Sequence, residues 1–368
     1  MKIPSYPNEY IIMCLILLLS GFGIVMMYSA SSIYAMNIFD NYMFFFNQQI
    51  KWLGLGLALM LIISQVNYQV LKRFAYILLI FSWIIMITGY FFKGTNPASR
   101  WLVIGGRSWM TTSDLARVSL IIFTALFIEN HKKCLQDWKY VFTHYTPFLT
   151  ITLMLILFQP DTSTTIAIAI IIMLMLFTAS VDWRFISTIT FLGMVCILIK
   201  ILYTPYAMER IINWNDIQKV QSLNAFGTGG LLGSGLGESI VKNGYLPQAH
   251  TDFILPIVGE ELGFIGILAL FVMFLFLYNR GMAVVREAPD LFSMFLSQGI
   301  IISVMIYFII NAAYVIGLAP TTGLPMPFIS YGGSHTIFTL LSMGILLNIA
   351  RRGRIGTNKY YRGFSYEF

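Results

Sequence analysis

Six acidic residues lie in or beside long apolar runs: Asp114, Asp161, Asp252, Glu260, Glu261 and, marginally, Glu129. An ionisable group in such a place must offset its desolvation, which makes it a functional candidate by default. Asp114 and Arg117 are three residues apart, so a helix sets them on one face as an ion pair. A bridge that fixes helix packing suits that spacing at least as well as a catalytic pair. Asp252 immediately precedes an apolar run, where the positive end of a helix dipole favours its ionised form. A partly hydrated carboxylate there can take a proton from a hydroxyl. His250, two residues earlier, could orient Asp252 or touch a substrate, although a lone loop histidine is more often simply exposed.

The segment 223–252 is rich in glycine, with Gly227, Gly229, Gly230, Gly233, Gly235 and Gly237 in close succession. Glycines let backbone amides approach a phosphate closely, but neither a Walker loop nor a dinucleotide fingerprint is intact here. A simple turn is the commoner reading. Ser239-Ile-Val-Lys242 fits the S-x-x-K nucleophile pattern, yet its companion S-D-N and K-T-G elements are absent, so the match is accidental.

The elements that must position these groups are set by composition. In 368 residues, 58% are hydrophobic and 11% charged, and mean hydropathy is +0.77. That excludes a soluble enzyme, a disordered regulator and a nucleic-acid binder, despite a formal charge of +7. Cys14, Cys134 and Cys196 form neither a disulfide framework nor a zinc cluster. Apolar runs occur at about 9–29, 47–66, 72–92, 112–129, 145–159, 163–180, 185–203, 254–278, 293–317 and 331–350. Each suits a helical span of roughly 20 residues, with a tight turn at Gln159-Pro160-Asp161 between the fifth and sixth. The expected fold is all-α: a polytopic membrane protein of about ten transmembrane helices. Residues 1–368 form one integral membrane domain with a long outer loop at about 204–253. Continuous rather than alternating apolar runs exclude a β-barrel.

Charge orients the spans. With both termini cytoplasmic, 14 of the 23 Lys and Arg residues fall inside. The outer side and its helix ends hold Lys51, Lys93, Arg100, Arg107, Arg117, Lys200, Arg210, Lys219 and Lys242. Those in segments 93–111 and 204–253 would suit an anionic ligand such as a phosphate-bearing lipid, although long loops also translocate regardless of charge. The basic C-terminal stretch from Arg351 to Arg362 reads as an anchor beside acidic lipids. The first run is longer than a signal-peptide core, so an uncleaved first span is expected despite Tyr28-Ser29-Ala30.

Several motifs now combine. Tyr245-Leu-Pro-Gln-Ala-His-Thr-Asp-Phe-Ile254 with Gly259-Glu-Glu-Leu-Gly263 resembles the signature of the SEDS (shape, elongation, division and sporulation) family. Gln159-Pro160-Asp161, Gln221-Ser222-Leu223 with the glycines that follow, and the stretch from Pro320 to Ser334 resemble three further family segments. The resemblance covers nearly the whole chain and lies closer to the division branch than to the elongation branch. It departs from the family at Thr111-Thr112-Ser113-Asp114-Leu115-Ala116-Arg117, where Q-P-S-E-L-A-K is usual. It departs again at Thr162-Ser163-Thr164 and Pro205-Tyr206-Ala207-Met208-Glu209-Arg210, and the segment from Asn213 to Gln218 is shorter than usual.

The resemblance implies a peptidoglycan glycosyltransferase of the bacterial cytoplasmic (inner) membrane that polymerises lipid II into β-1,4 glycan strands. Implied partners are lipid II, polyprenyl-pyrophosphate glycan, a class B penicillin-binding transpeptidase and other divisome or elongation-complex membrane proteins. Asp252 matches the family's catalytic aspartate. Candidate substrate contacts are Arg100, Trp101, Arg107, Arg210, Gln221, Ser222, Lys242, His250, Glu260 and Ser330, with Asp114, Arg117 and Asp161 in support. A divalent cation, Mg or Mn, is a candidate cofactor with no ligands assigned. Rival readings are a flippase for the lipid-linked precursor, with the buried charges as a headgroup path, and a noncatalytic divisome scaffold.

Overall fold

The computed structural model describes residues 7–91, 101–104, 107–203, 208, 217–244 and 246–363. Three long helices open the chain: α1 (Asn8–Phe39), α2 (Phe44–Gln65) and α3 (Gln69–Phe91). A two-stranded antiparallel hairpin follows, β1 (Trp101–Ile104) with β2 (Arg107–Thr111), irregular between Leu102 and Val103. This pair corrects the purely helical expectation. Then come α4 (Thr112–Asn130), α5 (Trp138–His144), α6 (Thr146–Phe158), α7 (Thr162–Thr178), α8 (Trp183–Tyr203) and α9 (Ile217–Gly229). Three more complete the described chain: α10 (Ile254–Arg286), α11 (Leu291–Val315) and α12 (Gly333–Gly363).

Every apolar run has become a helix. Among the described residues, seven helices are long and apolar enough to cross a membrane, and α5 with α6, bent by 50°, makes an eighth if taken as one span. The broken fifth run starts at Thr146, where Pro147 fits the first turn of a new helix because its missing N–H is needed by no partner there. α1 outruns the expected span by ten residues and ends at Asp40 in the left-handed region.

α4 is the central post. All of its residues but Leu115, Glu129 and Asn130 are buried, and it packs against α3, α7, α11 and α12. α8 is peripheral, with Phe185 and Ile186 its buried residues. Leu61, Ile62, Ile77, Ile84, Leu192 and Leu198 lie exposed on outward helix faces. Apolar surface of that extent is what lipid would cover.

Several polar contacts between distant segments gather at two ends. At one end, Tyr68 donates to Asp290 Oδ2 at 2.6 Å, Asn348 to the Ser64 carbonyl at 2.7 Å, Asn8 to Glu287 Oε2 at 3.1 Å, and Lys72 pairs with Glu129 at 2.6 Å. At the other, Thr112 donates to Gln159 Oε1 and Gln159 to the Met86 carbonyl, each at 2.8 Å, beside the cavity described next. Consecutive spans therefore alternate in direction, with α5 and α6 counted as one.

Candidate active site

A cavity of about 920 Å³ opens at that second end. Asp114, Asp161 and Asp252 all line it. Three helices present their first turns to it: α4 through Thr111 and Ser113, α7 through Asp161 and Thr164, and α12 through Gly333 and Ser334. Each N-terminus carries partial positive charge and amide N–H groups without intrahelical acceptors. Their convergence suits an anionic group.

Asp252 stands two residues before α10. Its carbonyl accepts from Tyr314 Oη at 2.6 Å and Asn311 Nδ2 at 3.0 Å, and Asn311 also donates to the Leu324 carbonyl at 2.8 Å. These bonds fix the backbone and leave the half-buried carboxylate at the cavity wall. Gly323, at φ 70°, passes so close that a Cβ there would lie 3.4 Å from Asp252 Oδ2.

Asp114 is a hub. Thr111 Oγ1 donates to its Oδ2 at 2.6 Å, and the Ser334 hydroxyl, 3.3 Å from the same oxygen, shares its hydrogen between Asp114 and the Thr111 hydroxyl. Arg117 Nη2 is 3.4 Å and His335 Nδ1 3.3 Å from Oδ1. The expected pair of Asp114 and Arg117 is present, fully enclosed. The guanidinium also lies 4.5 Å from the centroid of the Tyr307 ring, where a ring's negative face favours a cation. Asp161 caps α7, accepting from the Thr164 N–H at 3.3 Å, and takes a 3.2 Å bond from Ser113 Oγ.

Glu260 and Glu261 do not join the other acids. Both are 1% exposed, and neither lines the cavity. Glu260 accepts from the Ser239 hydroxyl and from the Ile240 N–H at 3.0 Å. Glu261 accepts from Ser29 Oγ at 2.6 Å and pairs with Lys242 Nζ at 2.8 Å. Lys242, a candidate for anion binding, is thus engaged by a buried carboxylate and by the Gly237 carbonyl at 2.6 Å. A charge in that setting needs its partner, so it stands away from the cavity.

The glycine-rich loop is also something other than a phosphate cradle. α10 kinks at Gly263, whose φ of 67° and ψ of −166° break the helix. The loop fills the break. Ser234 and Gly235 donate N–H groups to the Glu260 and Glu261 carbonyls at 2.9 and 3.0 Å, and Phe264 N–H returns to the Gly230 carbonyl at 2.9 Å. At Gly233 a Cβ would collide with the Glu261 carbonyl. Close approach of two backbones, rather than of a backbone and a phosphate, accounts for the glycine here.

His250 is buried, against the expectation of exposure. Its ring packs 4.5 Å from Phe45 and 5.8 Å from Tyr331 between centroids, and its carbonyl accepts from the Tyr331 N–H at 3.0 Å. It supports the wall through Tyr331 and does not itself line the cavity. Burial pushes the His250 imidazole down to about 4. Ser222 is wholly buried, donating to the Val315 carbonyl at 2.6 Å, and Gln221 is half-buried beside it on α9. Ser330 turns inward, where its hydroxyl accepts from the Met326 N–H at 2.9 Å. Trp101 and Arg107 fall on β1 and β2, while Arg100 and Arg210 lie outside the described residues. Among the described residues no group of three or more His, Cys, Asp or Glu side chains could hold a metal ion.

Sequence reasoning missed Trp52, Tyr307 and His335, all of which line the cavity. His335 left one usable signal, an ionisable side chain at the start of an apolar run.

A family model described as "Cell cycle protein", covering FtsW, RodA and SpoVE, matches residues 9–355. A protein of Trichlorobacter lovleyi named probable peptidoglycan glycosyltransferase FtsW is 36% identical over 93% of this chain and 93% of its own length. Stage V sporulation protein E of Bacillus subtilis is 32% identical over 94% of this chain and 98% of its own. Among solved structures, a chain from "Structural coordination of polymerization and crosslinking by a peptidoglycan synthase complex" matches with a TM-score of 0.76 at 22% identity, covering 94% and 98% of the two chains. The crystal structure of Thermus thermophilus rod shape determining protein RodA matches with a TM-score of 0.70 at 22% identity, covering 92% and 95%. The chain belongs to the FtsW, RodA and SpoVE family.

Proposed function

We propose that the protein is an inverting peptidoglycan glycosyltransferase that polymerises lipid II into β-1,4 glycan, with Asp252 as general base. The observation that carries this reading is the placement of Asp252 on a cavity that three helix N-termini also face. The carboxylate removes the proton from the 4-hydroxyl of an acceptor disaccharide. That oxygen forms a bond to the donor's anomeric carbon, the bond from that carbon to phosphate breaks, and α becomes β. Polyprenyl diphosphate departs with the extra negative charge. Helix N-termini aimed at that charge stabilise it without reorganising.

Arg100, Arg107 and Arg210 belong to the same proposal as cations for the diphosphate, and Trp101 as a neighbouring contact. A divalent cation, Mg or Mn, enters in this reading on the diphosphate of the substrate. The proposal also includes ten spans, cytoplasmic termini, residence in the bacterial inner membrane and a role in division. Its partner is a class B penicillin-binding transpeptidase, supported by fold likeness to a chain of a peptidoglycan synthase complex.

The test is polymerisation of defined lipid II by purified protein with its transpeptidase. Asp252→Asn keeps the size and the backbone bonds from Tyr314 and Asn311 while abolishing basicity. Activity is expected to fall by roughly 10²-fold or more with unchanged partner pull-down. Near-normal polymer from Asp252→Asn would refute the mechanism. Headgroup translocation without polymer would identify a flippase, and neither activity a scaffold.

A further inference from the structure

His335 is the third residue of α12 and is 6% exposed. Two contacts fix its ring. It stacks on Tyr307, with centroids 5.1 Å apart and planes at 24°, and Nδ1 lies 3.3 Å from Asp114 Oδ1. Asp114 also gathers the Thr111 and Ser334 hydroxyls and the Arg117 guanidinium. A carboxylate with that many donors is ionised and has no hydrogen to give, so the hydrogen between the two residues sits on Nδ1. The neutral imidazole then holds its lone pair on Nε2. Arg117 already balances the charge of Asp114, so nothing in the cluster calls for a second cation.

Nε2 is buried and, among the described residues, has no hydrogen-bond partner. A buried acceptor left unmatched costs free energy, and an unmatched group in a native structure calls for a reason. Here the reason is the cavity, which His335 lines together with Asp252. At about 920 Å³ the space is of the size that holds a small organic ligand.

We propose that His335 Nε2 is a substrate-reading acceptor, taking a hydrogen bond from a sugar hydroxyl held in the cavity. The Asp114 contact sets the tautomer and ring orientation that make this possible. This inference rests on the glycosyltransferase reading and adds to it a specificity-determining contact. Asp252 remains the proton acceptor, and His335 changes no bond.

The experiment compares His335→Asn and His335→Gln in the full chain reconstituted with lipid II. An asparagine amide reaches the position of Nδ1, so it keeps the bond to Asp114 and removes the unmatched acceptor. A glutamine amide reaches the position of Nε2, so it restores a polar group there and gives up the bond to Asp114. Losing one neutral hydrogen bond to substrate is expected to raise KM about tenfold in His335→Asn with kcat little changed. His335→Gln is expected to recover part of that loss. A purely structural role predicts the reverse order, with thermal stability falling alongside activity, and that result overturns the proposal. So does a normal KM in His335→Asn. Lipid II binding, measured on the same proteins without turnover, separates the two layers. If the wild type makes no polymer yet binds lipid II about tenfold more tightly than His335→Asn, the enzyme reading fails and the contact stands. Equal binding by the two removes the contact.

Discussion

The buried pair of Lys242 and Glu261 shows how a single side chain changes meaning once its partner is known. Alone, Lys242 in an outer segment suits an anion. Paired at 2.8 Å with both side chains almost wholly enclosed, it is a fastening between the glycine-rich loop and α10. Lys242→Met leaves a charge buried without compensation, which typically costs about 3–5 kcal/mol. Thermal unfolding in detergent should drop sharply for that variant. Lys242→Met with Glu261→Gln should recover much of the loss, whereas a catalytic lysine would give no such recovery. His250 supplies a pH-dependent counterpart. Its folded pKa of about 4 lies below the ordinary histidine value of 6.5, because burial disfavours the charged ring. Above about 6.5 its contribution to stability is fully present. As pH falls from there toward 4, the unfolded chain takes up a proton that the folded chain refuses, and stability is lost. Melting curves across that window should slope for the wild type, and the slope should lessen in His250→Phe.

At the scale of the element, the kink in α10 is the feature that least resembles its sequence. Residues 254–278 read as one uninterrupted span because isolated glycines such as Gly259, Gly263 and Gly266 are each tolerated inside a helical pattern. The structure places it at φ 67° and ψ −166°, a region that other residues enter only under strain of about 1–3 kcal/mol. Gly263→Ala adds a clash with Gly233 N and the Leu231 carbonyl. That variant should lose stability and become open to protease within 228–242, which limited digestion would reveal. The apolar runs themselves were legible, since a span requires an unbroken stretch of apolar residues. The i, i+3 pair of Asp114 and Arg117 was legible for a similar local reason. Ser334 and His335 were not, because their partners in α4 lie more than two hundred positions away. The end of α1 was missed too. Residues 30–39 mix serines, tyrosine and asparagine into a helix whose inner face still buries Ala30, Ser31 and Ala35.

For the molecule as a whole, helix alternation and charge act together. Tyr68, Glu129, Glu287, Asp290 and Asn348 meet at one end, and Asp114, Asp161 and Asp252 at the other. Added to the inside excess of Lys and Arg, this supports a cavity on the outer surface. Reporter fusions after residue 240 should read outside and fusions at the C-terminus inside. A reversed pattern would put the cavity on the side where the lipid II headgroup is made rather than the side where glycan is built, and the proposed reaction would lose its setting.

The fastening of α10 also bears on how the chain is made. Glu260 and Glu261 would burden a helix entering the bilayer on its own, since carboxylates there lack water. Their ligands come from Ser29, Ser239, Ile240 and Lys242, all earlier in the chain. A ribosome therefore releases every neutralising group before the two acids emerge, and this span can leave the translocon with its counterparts already waiting. The order of residues along the chain is in that sense also a timetable for insertion.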